Sequence, residues 1–526
     1  MTHREVQRGR VSAMTRNGLS RRQVLGLLGA GVAGGAAPRW AGAQATKSVD
    51  TLKVAISGDP GQLNPWIVNG MPMFSTFWPT VYESLLWHDD KMNLIGNLAE
   101  RWEVHGSDIK LFLKKGVTYH NGKPFDAESV KYAVEWITAP TSKALWKSMI
   151  AAVKQTTIHD PHTVTLHMEK PFRSVLMNLV TIAMIEPGHA RAVGDRIGLQ
   201  PMGTGPYKFV EYVPGSHMIV ERHEQYYGPK PKIARMHFRW IAENGTRLSA
   251  LESGEVHLIN NVPPDQVGRV EGNSKLKLLS TPTARIIYMA FRCDRAPFSD
   301  KRVRQAINFA VDKQAITRNI LRGKAQPATT PIAPMILGGD ASLPPYNHDP
   351  EKAKALLKAA GAEGATVNMG SPNGRYIMDK QVAEAVQGYL QKVGLKVNLE
   401  TPEWATYLGE VTKGDKSKFD MHLLGWGVIT MEPDYQVRDH YHSANNAKWN
   451  AYTNKELDKA MDEAVLIIDP AKARPAYHKI FATVWEDAPW LFLHYQPELI
   501  GVDRRITNFA PLPDEWLRFP TIDLQV

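Results

Sequence analysis

Apolar residues recur along this chain with two periods. An alternation of two marks Leu52-Lys53-Val54-Ala55-Ile56 as a strand leading into a Gly-Asp-Pro-Gly loop. A helical period places Val130, Ala133, Val134 and Ile137 on one face behind the capping residue Asp126. It does the same for Val303, Ala306, Ile307, Ala310 and Val311 behind Ser299. Asp349-Pro350 opens a third helix with Ala353, Leu356, Leu357 and Ala360 inward, and Gly361 is placed to stop it. Val382, Ala385, Val386, Tyr389, Leu390 and Val393 make a longer amphipathic face that ends at Gly394 and gives way to the alternating strand Leu395-Val397-Leu399. A last helical region covers 455–485, broken near Asp469-Pro470, and Pro475 costs its second helix a backbone bond unless it falls in the first turn. The chain then returns as strand from Leu491 to Val502. The pattern is mixed α/β with loop-rich connections and no internal repeat.

With 526 residues, 43% of them hydrophobic, the chain can bury a large core, which predicts two or three domains and excludes a disordered or collagen-like protein. The net charge of +10 first suggests a nucleic-acid partner. Seven arginines against the single acid Glu5 put +6 into residues 1–43, however, leaving +4 spread over the rest with no basic block. A nucleic-acid partner is not expected. The same 43 residues combine a basic start, an apolar stretch from Val24 to Ala37 and the small-x-small site Ala41-Gly42-Ala43, the layout of a cleaved export signal. Ser20-Arg21-Arg22-Gln23-Val24-Leu25 resembles the twin-arginine signal, departing at Val24 and Gly26 from its usual Phe and Lys. A periplasmic destination follows. Cys293 is the only cysteine and, next to the apolar run Ile286 to Phe291, reads as a buried or half-buried structural thiol.

Reaction motifs are missing. There is no GxxxxGK[ST] loop, GxSxG elbow, HExxH or paired CxxC, and no enzyme, cofactor or metal is expected. His440-Tyr441-His442 is the nearest approach to a metal pair, but it has no third ligand and reads as surface or loop histidines. Asp89-Asp90 reads as a pair of solvated turn acids.

Several separated stretches resemble the family 5 extracellular solute-binding proteins, the dipeptide- and oligopeptide-binding type that serves ABC importers. They are Leu63-Asn64-Pro65 with Val81-Tyr82-Glu83-Ser84-Leu85-Leu86, then Leu98-Ala99-Glu100-Arg101-Trp102, LFLKKGVTYHNGKPFDAESV (Leu111 to Val130), GTGPYKFVEYVPG (Gly203 to Gly215) and VRQAINFAVDKQAI (Val303 to Ile316). Each block alone has a bland explanation as a turn or amphipathic helix; together and in order they do not. The resemblance implies a bilobal α/β fold with an extra subdomain inserted in the first lobe. Residues 46–85, 195–283 and 491–526 would form the first-lobe core, 86–194 the insertion and 284–490 the second lobe. Ligand would sit between lobes that close by a hinge, and the closed form of a monomer would be recognised by a permease in the inner membrane.

The resemblance also nominates site residues. Trp404 in Pro402-Glu403-Trp404 and the pair Gly425-Trp426 would wall the cleft, the glycine letting backbone approach a ligand. Arg375 in SPNGRY would hold a carboxylate. Met71 and Tyr495 are weaker candidates against core packing. Peptide-binding relatives carry an acid for the peptide α-ammonium where this chain has Ile429, and Glu432 or Asp434 could replace it from the same loop. The expected ligand is a peptide or peptide-like solute, held differently for want of that acid, with an opine, glutathione-like compound, sugar conjugate or nickel complex as alternatives. An exported hydrolase or chaperone on the same scaffold is the reading from another class.

Overall fold

Two long antiparallel strands, Leu276–Phe291 and Trp490–Asp503, organise the molecule, pairing from Leu276 with Asp503 to Ala290 with Trp490. The computed structural model describes residues 50–68 and 71–525, with the side chains of residues 71 and 72 left out. The export signal of residues 1–43 lies outside the described residues. On one side of the long pair, Met421–Gly427, Thr366–Gly370 and Lys396–Glu400 extend the sheet. On the other come Leu258–Ile259, Thr51–Ile56, Arg235–Trp240, His217–Arg222 and Tyr207–Val213. The short strand Gln326–Pro327 pairs off this path with Trp490–Asp503. Ala99–His105, Asp108–Leu113, Thr163–Met168 and Val153–Asp160 form a separate four-stranded sheet.

The long pair slips register between Pro282 and Ile286. A slip of this kind bends a strand and re-aims its side chains. Here it is secured by the Thr283 hydroxyl, which donates to the Gln496 carbonyl at 2.6 Å, and it turns Arg285 toward Glu515.

Burial follows the periods in the sequence. Asp126 caps the helix Ala127–Thr138, accepting from the Ser129 N–H at 3.1 Å, and Val130, Ala133, Val134 and Ile137 are buried. The helix Lys301–Ala310 is capped by Asp300, which accepts from the Arg302 N–H, one residue later than the sequence reading placed the cap on Ser299. Asp349 caps Pro350–Ala359, and Gly361 follows at φ +67°. Asp379–Lys392 ends before Gly394, at φ +94°, which leads into Lys396–Glu400. The last helical region divides into Lys455–Ala464 and Pro470–Asp487. Pro475 lies beyond the first turn, so the helix runs on without that backbone bond.

The buried apolar residues fall into three cores. One gathers Leu52 to Phe238 with Ile500 to Leu524; the other two are built mainly from residues between Leu248 and Leu499. Residues 49–526 make one compact unit. Among the described residues no helix is long and apolar enough to cross a membrane. Cys293 is half-buried, and desolvation raises its thiol to about 11, which leaves it inert.

Candidate functional site

A cavity of about 220 Å³ opens where the first core meets the other two. Phe74, Leu145, Trp146 and Ser148 line it from the N-terminal part of the chain; Tyr376, Trp404, Leu424, Trp426 and Trp449 face them. The strand Met421–Gly427 carries Gly425 and Trp426 into the lining, and the helix Trp404–Val411 presents Trp404 from its first position, with Glu403 capping it. Trp426 packs edge-on against His440, ring centres 4.2 Å apart, and lies 5.2 Å from Tyr435. The indole N–H groups of Trp426 and Trp449 are buried with no acceptor among the described residues.

Charge in this cavity divides into paired and unpaired groups. Arg285 gives Glu515 two parallel bonds, Nε to Oε1 at 2.7 Å and Nη2 to Oε2 at 2.5 Å, and donates Nη1 to the Gly425 carbonyl at 2.8 Å. Arg375 has no ion pair or side-chain hydrogen bond among the described residues. Its guanidinium lies 4.9 Å from the centre of the Tyr376 ring and 5.0 Å from that of Trp404, and desolvation draws its pKa down. The loop that carries it is rigid where it matters: the Asp379 carboxylate accepts the backbone N–H groups of Gly374, Arg375 and Tyr376 at 2.8–3.0 Å. Asp439, on the helix Asp434–His440, is the second unpaired charge. It lines the cavity half-buried, no cation approaches it within ion-pair distance among the described residues, and desolvation raises its pKa against the opposing charge of Lys448.

Of the residues nominated from sequence, Trp404, Gly425, Trp426, Arg375 and Ile429 come together here. Gly425 also has a packing reason for its missing side chain. A Cβ at this position would come within 2.5 Å of Ile287 and 2.7 Å of Tyr376, so the missing side chain makes room for those two neighbours. Ile429 is buried and leaves its part of the cavity apolar. Neither proposed replacement acid reaches the cavity. Glu432 is fully buried against Arg173 at 3.1 Å, and Asp434 pairs with Arg438, also at 3.1 Å. The Glu432 pair joins the helix Arg173–Asn178 to the far side of the cleft, beside a backbone bond from Arg173 N to the Val465 carbonyl at 3.0 Å. Asp439 is the acid that sequence reasoning missed.

Tyr495 is not brought to this cavity. Its hydroxyl is held by the segment Thr329-Thr330, accepting from both backbone N–H groups at 3.2 and 3.0 Å. Met71 opens the helix Met71–Phe74, and its side chain lies outside the described residues. His440 is not a surface or loop histidine, whereas His442 lies in the loop that follows its helix. His440 ends a helix fully buried among Trp426, Trp449, Tyr288 and Trp490, because aromatic rings from distant strands close over it, and His442 is buried beside Asp458. Among the described residues no group of three or more His, Cys, Asp or Glu side chains is placed to hold a metal ion. Asp89 sits in a turn, accepting from the backbone of Lys91 and Asn93.

The family model described as bacterial extracellular solute-binding proteins, family 5 Middle, matches residues 93–448. The glutathione-binding protein GsiB of Pectobacterium atrosepticum is 29% identical over 501 residues, spanning 93% of this chain and 96% of that protein. The fold superposes on the periplasmic binding protein DppA from Helicobacter pylori, solved with the peptide STSA, with a TM-score of 0.83 at 22% identity, covering 90% of this chain and 98% of that one. It also superposes on NikZ from Campylobacter jejuni, solved with Ni(L-His), with a TM-score of 0.82 at 21% identity over 90% and 99% of the two chains. These likenesses establish a bilobal fold.

Proposed function

Because the chain belongs to the bacterial extracellular solute-binding proteins of family 5, a family of binding proteins, we propose that it is the periplasmic receptor of an ABC importer for a zwitterionic, peptide-like solute. The observation that carries this reading is the pairing of Arg375 and Asp439 in one cavity, opposite charges without partners beside the flat faces of Trp404 and Trp426. An unpaired charge in a desolvated site is costly, and a ligand with the complementary group offsets that cost with a charge-assisted bond. Arg375 takes a carboxylate and Asp439 an ammonium. Arg285 is neutralised by Glu515, so Lys448 at the exposed rim tips the cavity toward one net positive charge. That balance favours a solute with two carboxylates and one amine, the charge pattern of glutathione, which the GsiB relative is named for.

In this reading the lobes are those expected from sequence, 284–490 closing against the remainder with 86–194 as an insertion, and ligand stabilises closure. A monomer presents the closed face to a permease in the inner membrane, and the leader of residues 1–43 exports the chain. The test is native mass spectrometry of protein purified from periplasm, followed by denaturation and identification of the released molecule. A peptide-like zwitterion released intact supports the proposal. A compound without both charges overturns the assignment of Arg375 and Asp439, and a cleaved product overturns a receptor without catalysis.

A further inference from the structure

A second cavity, of about 360 Å³, lies apart from the cleft and shares no lining residue with it. Its chemistry is set by Lys313, at the start of the short helix Lys313–Ala315. The Lys313 side chain is only 6% exposed, yet its ammonium has no carboxylate and no hydrogen-bond acceptor among the described residues. What it has is two aromatic faces, with Nζ 5.2 Å from the centre of Tyr346 and 6.0 Å from that of Trp485. Both walls are fixed: Trp485 donates its indole N–H to the Pro344 carbonyl at 2.8 Å, and the Tyr346 hydroxyl donates to the Trp485 carbonyl at 2.9 Å.

The neighbouring acid is engaged elsewhere. Asp312 accepts the Ala315 N–H at 2.8 Å and faces His348 at 3.7 Å. The opposite wall, Pro327 to Thr329, is anchored by the Tyr495 hydroxyl, so the tyrosine nominated for the cleft shapes this cavity instead. We propose that this cavity is a second binding site, for a small organic carboxylate with a flat apolar body, whose carboxylate pairs with Lys313 while the body lies against Tyr346 and Trp485. A buried cation without an anion is the group that gains most from one, and the aromatic walls select a ring over a bare ion. Burial alone lowers the Lys313 pKa to about 7. The other titratable groups lining the cavity are Asp312, His348 and Tyr346. Lys313 gains its charge when a carboxylate enters, so binding takes up a proton at pH 8 and weakens as pH rises.

The probe is benzoate, titrated into the full protein by calorimetry at pH 8 in buffers of different ionisation heat, with acetate for comparison. Benzoate is expected to bind at least tenfold more tightly than acetate, with uptake of close to one proton, and Lys313→Met is expected to lose at least tenfold in benzoate affinity. Arg375→Ala is expected to keep that affinity, because Arg375 belongs to the other cavity. An independent reading on the unaltered protein uses lysine labelled with carbon-13 at Cε. The Lys313 signal, titrating near neutral pH, should shift to its protonated position as benzoate is added. No benzoate binding, binding unchanged in Lys313→Met, binding lost in Arg375→Ala, or a lysine signal indifferent to benzoate would each overturn the proposal.

Discussion

In the cavity Arg285 is locked between both oxygens of Glu515 and the Gly425 carbonyl, whereas its neighbour Arg375, beside the same Tyr376 ring, meets the faces of Tyr376 and Trp404 and no acid among the described residues. The two guanidiniums line the same cavity, Arg285 buried and Arg375 half-buried, but exposure alone does not explain their different roles. Connectivity does. Arg285 ties the register slip of the long strand to the C-terminal segment and to the strand Met421–Gly427, and removing its partner leaves a buried charge with nothing to face. Arg375 projects from a loop whose backbone is already held by Asp379. One arginine is part of the frame that shapes the cleft, while the other is a charge the frame holds ready. The distinction matters because a buried pair and a buried single charge respond in opposite ways to substitution.

The largest effect should come from breaking the frame. Glu515→Ala is expected to cost about 3–5 kcal/mol in urea unfolding, since Arg285 is then desolvated and unpaired. Combining it with Arg285→Met should recover most of that loss. A single-variant cost below about 1 kcal/mol would mean the pair does not hold the strands. Close behind comes Glu498, which feels the charges of both Arg285 and Glu515. It is buried with Oε1 lacking a partner, and desolvation lifts its pKa to about 8. The folded state therefore holds a proton that the unfolded chain releases above its ordinary pKa of about 4.3. Stability falls as pH rises from there through about 8 and levels off beyond. Glu498→Gln should remove that slope, matching the parent near pH 4 and exceeding it above pH 8 by several kcal/mol. Parallel stability profiles for the two proteins would place the buried proton elsewhere.

The frame was easier to read from sequence than the charges on it. Periodicity found the helices because burying one face of Ala127–Thr138 or Asp379–Lys392 is a local demand, written every three or four residues. The cleft tryptophans and Arg375 emerged through family resemblance in contiguous motifs. Asp439 did not, and the reason is physical. Glu432, Asp434 and Asp439 lie within eight residues, and which of them is left unpaired depends on Arg173, 259 residues away from Glu432, and on Arg438. The same holds for His440, buried by Trp490 from fifty residues later, and for Tyr495, claimed by a loop 165 residues earlier in the chain. Local periodicity carries no record of partners that distant.

For Arg375 the expected signs reverse. Arg375→Ala should leave unfolding stability within about 1 kcal/mol of the parent, because no ion pair is lost. It should also weaken glutathione binding by roughly 2 kcal/mol through loss of a charge-assisted bond. The loss should shrink when the glycine carboxylate of glutathione is amidated, and calorimetry with both ligands decides the point. An equal loss for both would make Arg375 a packing residue, like Arg285 without its acid.

Asp439→Asn makes the smallest change, removing a charge while keeping the shape and one acceptor. It should cost about 1 kcal/mol of glutathione affinity and nothing for N-acetylated glutathione, which has no ammonium to receive. Its pH signature is sharper than its size. Burial raises the Asp439 pKa from its ordinary value in the ligand-free protein. An ammonium needs the ionised form, so affinity should fall on acidification, beginning at a higher pH than for an exposed aspartate. The asparagine variant should lose that slope. If both proteins weaken in parallel as pH falls, the ammonium is held by another group and Asp439 is not its partner.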